Sequence, residues 1–89
     1  MAKVNESMIS DLYDVLLSLE SKEDCAILFE DLCTRKEVEN MAQRLRAAKL
    51  LQQGDTYNTI IEKTGIATAT LSRVSTCVKY GQGYKKFVK

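Results

Sequence analysis

Histidine and proline are absent from this chain of 89 residues, which holds only four glycines and three cysteines. Without histidine there is no imidazole general base, no Ser–His or Cys–His nucleophile and no His-based metal site. The glycines are scattered, and no Walker-type phosphate loop can be read. The inventory suggests a protein that is not an enzyme and holds no metal or cofactor. Cys25, Cys33 and Cys77 are odd in number with no close pair, which argues against a disulfide framework. They fall on apolar stripes and are expected in the core. No apolar run approaches the ~18–20 residues that span a bilayer. The opening MAKVNESMIS also lacks the apolar stretch of a signal peptide. A cytoplasmic protein with no membrane partner is expected.

Acids are missing from one end of the chain. The formal net charge is +1, yet residues 1–33 sum to −6 and residues 34–89 to +7. No Asp or Glu follows Glu62, while six bases do. Such sorting is a prior for one end meeting a polyanion and the other doing something else.

What is present is helical periodicity, with no strand alternation and no internal repeat. Met8, Leu12, Val15, Leu16 and Leu19 mark a first helix, from about Glu6 to Leu19. Ser21 caps a second, with Asp24 in an acidic first turn and Cys25, Leu28, Phe29 and Leu32 as its stripe. Thr34 to Glu37 forms a capping box for a third helix, from about Arg35 to Gln53. Its inward residues are expected to be Val38, Met41, Ala42, Leu45, Ala48 and either Leu50 or Leu51. Gly54 ends it. Thr56 caps a fourth helix, Tyr57 to Thr64, with Ile60 and Ile61 inward and Gly65 at its end. A fifth fits Thr68 to Tyr80, with Leu71, Val74 and Val78 inward and Gly81 and Gly83 as stops. The basic tail either begins a sixth helix or stays mobile. So small a chain, apolar on more than one helix face, is marginal alone. A homodimer with interlocking N-terminal helices is expected, the plainer alternative being a monomeric bundle. The expected division is 1–53 for the N-terminal helices and dimer core, and 54–89 for a head and basic tail, within one structural domain.

The informative stretch is YNTIIEKTGIATATLSRVSTCV, residues 57–78. It reads as helix, turn at Gly65, helix: a helix-turn-helix. Ile60 and Ile61 pack the first helix, Ile66 fills the gap, and Leu71 and Val74 seat the second. Ala67, Thr68, Ala69, Thr70, Ser72 and Arg73 are then left near its exposed N-terminal part. Small hydroxyl side chains can bond base edges in the major groove, and Ala or a Thr methyl can meet the thymine methyl. The helix N-terminus and Thr68 suit phosphate, as do Thr56, Lys63, Lys79 and the C-terminal lysines. Ile61 replaces the small residue common four before the turn glycine, which allows a looser angle. The alternative is a hairpin that never touches DNA: a protein-interaction module, or an RNA-binding protein without DNA specificity.

The segments DLCT (31–34), AQRL (42–45), GDTYNTI (54–60), TGIATATLSRV (64–74) and YG (80–81) resemble those of the Trp repressor-like YerC/YecD proteins. The resemblance spans roughly residues 12–81. It implies an all-α, Trp repressor-like helical bundle with a helix-turn-helix, arranged as an intertwined homodimer. The implied function is sequence-specific binding of a double-stranded DNA operator and transcription regulation. A more distant resemblance, to the tryptophan-sensing repressor, places Thr34, Arg44 and Arg73 at effector-pocket positions. Val74 and Cys77 stand where that pocket has glycine and serine. Valine would fill space the ligand needs, and a thiol is a weak partner for an amine. A tryptophan-like effector is therefore disfavoured.

Overall fold

A computed structural model describes residues 2–89; Met1, which the expected segment 1–53 includes, lies outside the described residues. Six α-helices follow in order: α1 Glu6–Leu17, α2 Lys22–Leu32, α3 Arg35–Gln52, α4 Tyr57–Thr64, α5 Thr68–Tyr80 and α6 Gly83–Phe87. There is no strand among the described residues. The fold is all-α, as expected. The chain forms two compact units, one ending at Thr34 and the other Arg35–Lys89.

In the N-terminal unit, polar side chains fix the helix ends. Asn5 Oδ1 accepts from the Met8 amide at 3.1 Å and starts α1. The helix stops at Leu17, short of the expected Leu19. Ser18 Oγ donates to the Val15 carbonyl at 2.6 Å, and the Leu19 amide bonds Leu16 instead of continuing the α pattern. Ser21 caps α2 through the Asp24 amide at 3.0 Å. The Asp24 carboxylate in turn accepts from the Glu20 amide at 3.0 Å. Neither α1 nor α2 has a fully buried residue. Cys25 and Cys33 are half-buried rather than core.

The C-terminal unit holds the closed core. α3 ends in a Schellman arrangement: the Asp55 amide reaches the Leu50 carbonyl and the Gly54 amide that of Leu51. Gly54 takes the left-handed φ of 91° this requires. Ala47, Ala48 and Leu50 of α3, Ile60 of α4, Ile66 of the turn, and Leu71 and Val74 of α5 make up the core. Tyr84 and Val88 pack against it from α6 and the residue that caps it. The two alanines leave room for α5 to approach α3 closely, so a thin stripe of small side chains suffices.

Several expectations are corrected here. Ala42 and Leu45 of α3 are exposed, and Ala47 is inward in their place. Cys77 is exposed rather than core. Gly83 begins α6 rather than stopping α5. Gly81 alone ends α5, and a Cβ there would stand 2.7 Å from the Cys77 carbonyl oxygen. By packing, α3 belongs with α4 and α5, and the first compact unit ends at Thr34.

Candidate nucleic-acid interface

The helix-turn-helix is built as its spacing predicts. Thr56 Oγ1 accepts from the Thr59 amide at 3.2 Å and starts α4. Gly65 ends it with φ 72°, its amide bonded to the Ile61 carbonyl. Ile66 follows, 2% exposed, and fills the gap between the helices. Leu71, fully buried, and Val74, 2% exposed, seat α5 on the same core. Ile61 lies half-buried against that core.

Two polar residues that fix the turn escaped the sequence reading. Thr64 Oγ1 donates to the Ile60 carbonyl at 2.7 Å, and it also accepts from the Ile66 amide at 3.2 Å. Gln43 of α3 donates from Nε2 to the Thr64 carbonyl at 2.9 Å. The turn is thus tied to α3 as well as to its own helices. The signal for Gln43 was faint: a polar side chain at a helix position that only packing makes half-buried.

The outer side of α5 carries the residues expected there. Ala67, Thr68, Ala69, Ser72 and Arg73 are exposed, and Thr70 is half-buried. Ala67 is the N-cap and supplies no side-chain cap, so the first α5 amides are not closed off by one. Thr68 and Ser72 share one helical row, Ala69 and Arg73 the next. The more peripheral expected residues are partly engaged already. Lys63 Nζ pairs with Asp55 at 3.2 Å, and the Thr56 hydroxyl donates to Thr59 Oγ1 at 2.9 Å. Lys79 is exposed, and its carbonyl accepts from Lys85 Nζ at 2.9 Å. Among the described residues the ion pairs are Arg35–Glu39 and Lys63–Asp55. Lys36, Arg44, Arg73 and Lys79 therefore carry charge that no carboxylate there neutralises.

Beside α5 lies a cleft of about 410 Å³ lined by Arg44, Thr70, Arg73, Val74, Cys77 and Tyr84. Four of the five expected effector-pocket residues meet there: Arg44, Arg73, Val74 and Cys77. Thr34 closes the N-terminal unit and is not among the lining residues. Val74 lines this cleft and also packs in the core. Tyr84 of α6 was not anticipated, since nothing in its local sequence links it to Arg44. Among the described residues, no group of three metal-ligating side chains could hold an ion. None of the described helices is long and apolar enough to cross a membrane.

An all-helical unit that presents a short second helix beyond a glycine turn defines a helix-turn-helix protein. Comparison places it further. A family model described as Trp repressor protein matches residues 7–89, so the chain belongs to the Trp repressor family. The uncharacterized protein YerC of Bacillus subtilis strain 168 is 43% identical over 79 residues, which is 89% of this chain and 76% of the relative. A crystal structure from Staphylococcus aureus, described as that of a candidate Trp repressor, is 40% identical with a TM-score of 0.87. The match covers 91% of this chain and 82% of that one. A TrpR-like protein from Eubacterium eligens is 38% identical with a TM-score of 0.86, over 92% and 84% of the two chains. The family is one of regulators, not enzymes.

Proposed function

We propose that the chain is a sequence-specific DNA-binding transcriptional regulator that reads the major groove with α5. One observation carries this reading. α5 holds an outward row of Ala, Thr and Ser side chains with Arg73, set on a buried Ile–Leu–Val seat, and no acid follows Glu62. Small hydroxyl and methyl groups can approach base edges, and a surface without carboxylates does not repel phosphate. Thr68, Ala69, Thr70 and Arg73 contact bases, with Ala67 and Ser72 flanking. Thr56, Lys63, Lys79 and the α5 N-terminus meet the backbone. Lys63 does so in exchange for its pairing with Asp55, so it contributes least.

The operator is bound by a homodimer. Exposed apolar side chains on the N-terminal helices, Leu17 at 84% and Ile27 at 68% among them, support this. The acidic N-terminal half keeps the duplex to the basic heads, about 34 Å apart when each reads a half-site. The cleft around Arg44 and Arg73 is where an effector is to be sought; Val74 and Cys77 disfavour tryptophan.

The test is selection of bound duplexes from a random pool, with and without tryptophan. Enrichment of one two-fold-symmetric site is expected, unchanged by tryptophan. Failure to retain any duplex would remove the reading in favour of a protein-interaction module. Preference for single-stranded RNA over duplex in competition would redirect it to RNA.

A further inference from the structure

A second cleft, of about 270 Å³, lies between α3 and the helix-turn-helix turn. Lys36, Asn40, Gln43 and Arg44 line it from α3, and Gly65, Ala67 and Thr70 from the turn and α5. We propose that this cleft is a phosphate seat, holding one backbone phosphate of the duplex that α5 reads. The inference rests on the DNA-binding reading above and extends the interface onto α3.

The composition of the cleft is that of an anion site. It has two cations, two carboxamides and a hydroxyl, and no carboxylate. Of the acids on its helix, Glu39 is held by Arg35 at 3.3 Å, and Glu37 is engaged as well. Neither Lys36 nor Arg44 has an ion pair among the described residues. Lys36, Asn40 and Arg44 recur at four-residue spacing along α3, which puts the three on one row. Gln43 is the hinge pin. Its bond to the Thr64 carbonyl holds the α3 row against the turn. Thr70 lines both this cleft and the one beside Arg73. A phosphate held by Lys36, Asn40 and Arg44 therefore sits next to the side chains that would meet the bases. Such a contact fixes register without carrying sequence information.

Lys36 is exposed and Asn40 half-buried, so substitutions there test contact rather than folding. The measurement is binding of a selected duplex and of a random duplex across a salt series, with circular dichroism as the check of fold. Lys36→Ala is expected to weaken both duplexes equally, about fivefold, and to lower the slope of log affinity against log salt by about one. Asn40→Asp, which puts a carboxylate in the cleft, is expected to cost about tenfold or more at low salt on both duplexes. Lys22→Ala, in the acidic unit, controls for net charge and should change neither quantity. If the wild type binds duplex while Lys36→Ala keeps its affinity and slope, the seat is wrong and the α5 reading stands. Equal losses from Lys36→Ala and Lys22→Ala overturn the seat as a mere effect of net charge. A wild type that binds no duplex overturns both readings together.

Discussion

The two units of this chain treat their apolar side chains in opposite ways. Residues 35–89 close seven of them into a core around Ile60, Leu71 and Val74. α1 and α2 bury none completely, although both carry apolar side chains at helical spacing. The difference is not one of helix formation, since Asn5 and Ser21 cap α1 and α2 as well as Thr56 caps α4. It lies in whether the facing surface belongs to the same unit. The charge follows the same line: acidic where the apolar faces are open, basic where the core is closed. In the proposed dimer, the second chain would cover the apolar side chains that the N-terminal unit leaves exposed.

This contrast can be tested at five residues. The largest effect is expected from Leu71→Ala, where a fully buried side chain leaves a cavity between α5 and α3. It should destabilise the head by about 3–4 kcal/mol, read as a lowered urea midpoint at unchanged slope. Next comes Ile27→Asp on α2. If its exposed side chain is buried between two copies, a charge there should cost about 2 kcal/mol or more of association. Sedimentation would then show the monomer at micromolar concentration. Wild-type sedimentation as a stable monomer would instead make the N-terminal stripes ordinary surface.

Gly65→Ala should cost about 1–2 kcal/mol, because φ 72° is a left-handed conformation that a Cβ resists. The space around it is ordinary, so the loss reports backbone strain and should appear in thermal unfolding of the head. The smallest effect sharpens the comparison. Thr56→Ala and Asn5→Ala each remove one helix cap, worth about 1 kcal/mol. The first should lower the melting temperature of the cooperative head. The second should chiefly increase amide exchange at the start of α1, where no closed core transmits the loss.

The helix-turn-helix was legible because its determinants are local. Thr56 and Gly65 each act within one turn of helix, Ile60, Ile66, Leu71 and Val74 follow closely in the chain, and α4 and α5 begin and end at the residues expected. α3 was less legible. Its 18 residues carry apolar side chains on several faces, and the sequence could not say which would meet α5. Ala47 does, while Leu45 turns outward to a groove beside α6. The site divided in the same way. The α5 row followed from helical period alone, whereas the Gln43–Thr64 bond and the Tyr84 wall join residues 21 and 40 apart in sequence.

By itself the sequence determined the helices, their caps, the left-handed turns at Gly54 and Gly65, and the separation of charge. All of these are settled by groups a few residues apart, through backbone hydrogen bonds and the conformational freedom of glycine. Only the tertiary structure decided which face of α3 is core, where the unit boundary falls, that Cys77 is exposed, and that Lys36, Asn40 and Arg44 border the turn. Those outcomes depend on close packing between segments far apart in the chain. There, the small size of Ala47 and Ala48 and one carboxamide bond select among faces that hydrophobicity alone leaves equivalent.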